Sequence, residues 1–129
     1  MKIEVSNGEI LDKISILEIK KEFITDTTKL ANVEKEYTEL IGLFIQLVTT
    51  TEASHLYKHL YAVNRELWIV EDQLRDLEHI QDFGPTFVAA ARSVYKLNDK
   101  RAAYKKQINI LTNSNLTEEK SYANYENIS

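Results

Sequence analysis

From Phe87 to Leu111 the chain reads FVAAARSVYKLNDKRAAYKKQINIL, and this stretch decides the fold. Phe87, Ala90, Val94, Leu97, Arg101, Tyr104, Ile108 and Leu111 step alternately by three and four, the spacing that keeps side chains on one face of a helix. All but Arg101 suit a core. A guanidinium in such a stripe needs a carboxylate partner or an anionic ligand, because a charge drawn out of water alone is costly. The stretch therefore predicts a long helix from about residue 86 to 111 with one charged residue turned toward its packing partner.

Working outward, Asp82-Phe83-Gly84-Pro85 places glycine and proline where one helix stops and the next opens. Before it, Leu56, Leu60, Val63, Leu67, Val70, Leu74 and Leu77 form a seam at every third or fourth position, widened by Tyr57, Tyr61 and Trp68 as a globular bundle requires. Thr49-Thr50-Thr51 separates this helix from an earlier one carrying Leu30, Val33, Tyr37, Leu40, Ile41, Phe44, Leu47 and Val48, unless the two run on as one. Asp26-Thr27-Thr28 can cap that second helix. The first helix opens with Ser6 and Glu9 spaced as a capping box and Val5 and Ile10 as a hydrophobic staple, with Ile10, Ile14 and Leu17 as its buried stripe. The expected fold is all-α, an antiparallel bundle of three to four long helices over residues 1–115. Residues 116–129 form a polar tail that Tyr122 and Tyr125 can dock.

With 129 residues, three glycines and one proline, the composition suits a single helical domain. No cysteine is present, which excludes disulfides, zinc–thiolate sites and thiol nucleophiles. No apolar run approaches the ~20 residues that span a bilayer, and polar residues interrupt the N-terminus before any signal-peptide core can form. These features predict a soluble, cytoplasmic protein without a membrane contact. Helices of ~25 residues are ~38 Å long, longer than a compact monomer of this size needs, so the leftover apolar stripe predicts a homodimer.

Charge is unevenly spread. Residues 1–91 carry 9 Lys/Arg against 16 Asp/Glu, whereas Arg92, Lys96, Lys100, Arg101, Lys105 and Lys106 face only Asp99 within residues 92–106. A basic helix among acidic ones implies complementarity inside the bundle or dimer, or an anion-binding face. An acidic chain without groove-reading elements argues against nucleic acid. Arg92, Arg101 and Lys105 are the candidate anion-binding residues, for a phosphate or carboxylate metabolite. Glu18 or Glu71 are the acids expected to meet Arg101, with Asp12 lying further round the first helix and Asn98 beside Arg101. The pairs Glu52/His55 and Asp76/His79 have the spacing of di-iron bundles, but those histidines stand ~36 Å apart on one straight helix. No metal site and no cofactor are expected. Glu36-x-x-Glu39 has the acidic spacing of helical pyrophosphohydrolases without their later Glu-x-x-Asp, and helix one lacks the arginines of helical chorismate mutases.

A further set of motifs carries a resemblance: Gly8-Glu9-Ile10-Leu11-Asp12-Lys13-Ile14-Ser15-Ile16-Leu17-Glu18-Ile19-Lys20, Asn64-Arg65-Glu66-Leu67-Trp68 with Glu71-Asp72, Phe83-Gly84, Ala91-Arg92-Ser93-Val94-Tyr95 with Asn98-Asp99-x-Arg101-Ala102, Ile108-Asn109, and Glu118-Glu119-Lys120-Ser121-Tyr122. Together they resemble an uncharacterised small all-helical family of bacteria and marine cyanobacterial phages. The likeness spans nearly the whole chain and implies no activity. It does mark Asp12, Glu18, Glu71, Asp72, Arg92, Asn98, Asp99 and Arg101 as a polar set near the core. The sequence thus supports a helical interaction or accessory module acting as a homo-oligomer, with or without a protein partner. The alternative is a small enzyme or binding protein for an anionic metabolite.

Overall fold

The computed structural model describes residues 2–115, so the expected tail at 116–129 lies outside the described residues. Among these, four helices follow in order: α1 (Asn7–Phe23), α2 (Thr27–Leu47), α3 (Thr51–His79) and α4 (Pro85–Leu111). Their ends follow local chemistry. Side-chain oxygens of Ser6, Asp26 and Thr50 accept hydrogen bonds from the backbone N–H of Glu9, Lys29 and Ala53, capping α1, α2 and α3. Proline opens α4, where a missing N–H costs nothing. Gln81 (φ 57°) and Asn113 (φ 53°) adopt the left-handed conformation that closes α3 and α4. It allows Asp82 N–H to reach Leu77 O at 2.9 Å and Ser114 N–H to reach Asn109 O at 2.8 Å. The threonine run separates α2 from α3, which are not continuous. Val5 remains 42% exposed, so the N-terminal half of the anticipated staple is not buried.

The central element is α1, which packs against all three other helices. Ile10, Leu11, Ile14, Ile16, Leu17 and Ile19 point around most of its circumference, so α1 has apolar contacts to offer on several sides, while Glu9, Lys13 and Glu22 stay exposed. Its buried residues accordingly go well beyond the single stripe Ile10, Ile14 and Leu17: Leu11, Asp12, Ile14, Ser15, Leu17 and Ile19 are all 0–1% exposed. Helix α2 covers one side of α1, and the paired α3 and α4 form the groove on the other. The larger apolar cluster joins Leu11, Ile14, Tyr57, Leu60 and Ile108, with Tyr37, Leu40 and Phe44 packed on it. The smaller one joins Val63, Leu67 and Leu97.

The lengths do not match. At 1.5 Å per residue α1 extends about 26 Å and α3 about 44 Å. The last residue of α1, Phe23, stacks on Trp68 with ring centroids 5.8 Å apart. Beyond that level α3 and α4 continue as a two-helix arm, residues 69–79 and 85–96. Within the arm Ala90 alone is buried. The α3 seam is therefore closed from Leu60 to Leu67 and only half-covered at Val70, Leu74 and Leu77. No helix among the described residues is long and apolar enough to cross a membrane.

Tyr57 brings an unmet polar atom into the larger cluster. Its ring meets Phe44 edge-on at 4.8 Å, and its hydroxyl is buried without a well-formed hydrogen bond. Burial first, and then the Glu18 carboxylate, push its ionisation far above the usual tyrosine range. A raised acid constant means the neutral hydroxyl is the form the fold accepts. This contribution is complete below about pH 10, the ordinary tyrosine value, and declines as pH rises past it. Tyr57→Phe should leave stability at neutral pH unchanged or higher by up to about 1 kcal/mol. It should also flatten the alkaline loss measured by urea unfolding across that pH range; an unchanged alkaline slope would contradict this account.

Candidate functional site

The residues that join α1 to the α3–α4 groove form a ladder. Antiparallel α1 and α4 meet at Gly8–Asn109, Glu9–Lys105 and Asp12–Arg101 in turn. At the bottom, α1's first N–H groups lack partners within the helix, and α4's last turns supply them. Asn7 N–H donates to Ser114 Oγ at 3.0 Å and Gly8 N–H to Asn109 Oδ1 at 2.6 Å. Asn7 Nδ2 donates to Thr112 Oγ1 at 2.9 Å. Glycine is required at position 8 by close approach, since a Cβ there would lie 2.5 Å from the Lys105 carbonyl oxygen.

One turn up, Lys105 Nζ lies 2.7 Å from Glu9 Oε2, with the lysine side chain 9% exposed. Above it sits the centre of the network. Arg101 grips Asp12 with two parallel bonds, Nε to Oδ1 at 2.8 Å and Nη2 to Oδ2 at 2.6 Å. Asn64 of α3 donates through Nδ2 to Asp12 Oδ1 at 2.9 Å and to Ser15 Oγ at 2.8 Å. Ser15 in turn donates to the Asp12 carbonyl at 2.7 Å. The Asp12 side chain is 2% exposed and that of Arg101 30%, so the acid is interior and the guanidinium bridges interior and rim. Both carboxylate oxygens of Asp12 are engaged by donors from α3 and α4.

Asp12 is the partner of Arg101; Glu18 and Glu71, the acids anticipated from spacing, are placed elsewhere. Glu18 Oε1 accepts from the Tyr37 hydroxyl at 3.4 Å, toward α2. Glu71 is exposed on α3, where it lines a cavity of about 210 Å³ with Ile16, Ile19, Asn64, Leu67, Trp68, Asn98 and Arg101. The Trp68 indole N–H is buried and has no hydrogen-bond partner. Asp72 is exposed and paired with Arg75 within α3 at 3.1 Å, and Asp99 is half-buried on α4. Arg92 is exposed on the arm, about 14 Å along the helix from Arg101. The three anticipated anion-binding cations do not converge: Arg101 meets Asp12, Lys105 meets Glu9, and Arg92 belongs to the arm. Asn64, Ser15 and Asn109 stand in the family motifs but were not among the candidate polar set, and the position of Asn64 inside the α3 seam between Val63 and Leu67 is the signal that could have added it.

His59 stacks on Tyr104 with centroids 5.4 Å apart, and His55 and His79 are exposed. No group of three or more His, Cys, Asp or Glu among the described residues could hold a metal ion. Glu36, half of the acidic pair on α2, bonds Lys13 at 2.9 Å. At the top of α1, Glu22 accepts two bonds from Arg65, which hold its carboxyl below the usual range.

Truncating Arg101 to alanine leaves the Asp12 carboxylate buried with Asn64 as its remaining side-chain donor. The expected cost is about 3–5 kcal/mol by urea unfolding. Adding Asp12→Asn to that variant removes the orphaned charge and should recover at least about 1 kcal/mol. A loss below about 1 kcal/mol for Arg101→Ala would mean the pair behaves as a surface ion pair and holds nothing.

No curated protein and no solved structure matches the chain. A family model does, described as Family of unknown function (DUF6165) and matched over residues 1–128, and the chain belongs to that family.

Proposed function

We propose that this protein is a helical interaction module that works as a homo-oligomer, with the α3–α4 arm as its working surface. One observation carries the reading: past Trp68 the arm loses the cover of α1 and presents Ile69 at 45%, Ile80 at 66%, Phe83 at 51% and Val88 at 50% exposure, all within residues 69–88 of the hairpin. Full burial of each such side chain is worth roughly 1.5–3 kcal/mol. Contributed twice over by two copies, this offsets much of the ~4–15 kcal/mol that association costs. The polar ladder supports the same reading from the other side. Its strongest charges are spent on one another, fixing a rigid base from which the arm extends.

In sedimentation velocity at micromolar concentration the full chain should run as a dimer. Phe83→Ser should weaken the association at least about tenfold, or roughly 1.4 kcal/mol, with little change in the unfolding of the separated chain. A wild-type chain that stays monomeric throughout the micromolar range would defeat the proposal.

A second reading is favoured by a different observation, the unpartnered Trp68 indole N–H beside the 210 Å³ cavity. There a small polar molecule, rather than an anion held by Arg92, Arg101 and Lys105, would meet Asn98 and Glu71 and, on a shift of the Trp68 ring that unseals its N–H, accept from the indole. Arg101 is matched by Asp12, so Glu71 leaves the cavity one net negative charge, which disfavours an anionic ligand. A thermal-shift screen of neutral, zwitterionic and anionic metabolites, repeated on Trp68→Phe, tests it. Stabilisation that the variant loses supports the reading; an unresponsive wild type removes it.

A further inference from the structure

At the base, α1 lies in the groove between α3 and α4. That groove does not end where α1 ends. It continues along the arm as a trough of about 470 Å³ with Leu74, Phe87 and Ala91 on its floor and Arg75, Glu78 and His79 along its α3 wall. The trough is shallow and open, and its floor at Leu74 and Phe87 is only half-covered, so it offers an apolar face to a packing partner. We infer that the arm of a second copy packs face to face on it, running antiparallel, so that each chain's Arg75 faces the partner's Glu78. This rests on the homo-oligomeric reading above and specifies its interface.

Two features define the fit of a second copy, one its direction and the other its self-complementary charge. The first is steric. A copy entering in the parallel sense would bring its own base against α1 and α2, which already occupy that side. The antiparallel sense sends the two bases to opposite ends and sets the arms side by side as a four-helix bundle. The second is charge. Arg75 and Glu78 are three residues apart on one wall, about 4.5 Å along the axis. A two-fold axis passing between their levels places each Arg75 opposite the partner's Glu78 and each Glu78 opposite the partner's Arg75, as an isologous interface demands. Arg75 is also free to turn: its present contact is Asp72 on its own helix at 3.1 Å, with side chains 73% and 55% exposed, and such a pair holds a side chain weakly.

The test is a charge exchange followed by sedimentation, with circular dichroism to show that the exposed substitutions leave the fold intact. Arg75→Glu alone and Glu78→Arg alone each put like charges face to face and should weaken dimerisation at least about tenfold. The double variant Arg75→Glu/Glu78→Arg restores both reciprocal pairs and should dimerise within about threefold of wild type. An equimolar mixture of the two single variants should form a heterodimer, since each supplies the charges the other lacks. If the wild type dimerises but the single variants dimerise equally well, or the double variant fails to recover, this interface is wrong while the homo-oligomeric reading stands. A monomeric wild type overturns both.

Discussion

Helix α1 offers apolar side chains on several sides, and the rest of the molecule is arranged to bury them. Its interior position carries one carboxylate, Asp12, into a region 2% exposed, and a lone carboxylate there would be untenable. Arg101 resolves this with a bidentate grip from α4, and Asn64 completes the shell from α3. The same contacts set the register of three helices at one level. Buried ion pairs of this kind add little net stability against an apolar substitute, but they penalise any shifted alignment that would separate the charges. The ends of the interface repeat the arrangement with weaker parts: Glu9 with Lys105 below, Glu22 with Arg65 above.

Once α1 is fixed in the groove, its length decides what the molecule exposes. Phe23 closes against Trp68, and everything on α3 and α4 past that level lacks a third helix. A two-helix segment cannot bury both inner faces, so Leu74, Leu77 and Phe87 remain half-covered and Phe83 packs edge-on against Phe87 at the tip. The arm thus follows from a mismatch of helix lengths. The proposed association supplies what α1 is too short to give, which ties the fold and the proposed function to the same groove.

Much of this was legible in the sequence where the signal is local. Ser6 and Asp26 act at their own helix ends, the threonine run at 49–51 marks a break though not Thr50 as its cap, and Gly84-Pro85 opens α4 as its residue types require. The stripe through Arg101 reports helix α4 and its packing face correctly because three-four periodicity depends on one helix alone. The partner of Arg101 was not legible in the same way. Glu18 stands one turn from Ile14 and looks inward when α1 is given a single buried stripe, whereas α1 has three packed sides and Asp12 occupies the one that faces α4. Glu9 shows the same limit: its backbone N–H joins Ser6 as the capping pattern requires, but its carboxylate reaches across to Lys105. Which acid meets which base depends on the rotation of α1 in its groove, a tertiary quantity that spacing within one helix does not contain. The uncovered arm was visible only as excess helix length, without a location.

Hydrogen exchange followed as a function of protein concentration addresses the central claim most directly, because it separates a locked base from an incompletely covered arm in one experiment. Amides of α1 around Asp12 and of α3 and α4 at the level of Leu60 and Ile108 should exchange only through global unfolding, at every dilution. Those of residues 69–79 and 85–96 should exchange faster in dilute solution and gain protection as concentration rises. Equal protection of arm and base at high dilution, or an α1 that opens as readily as the arm, would contradict the account.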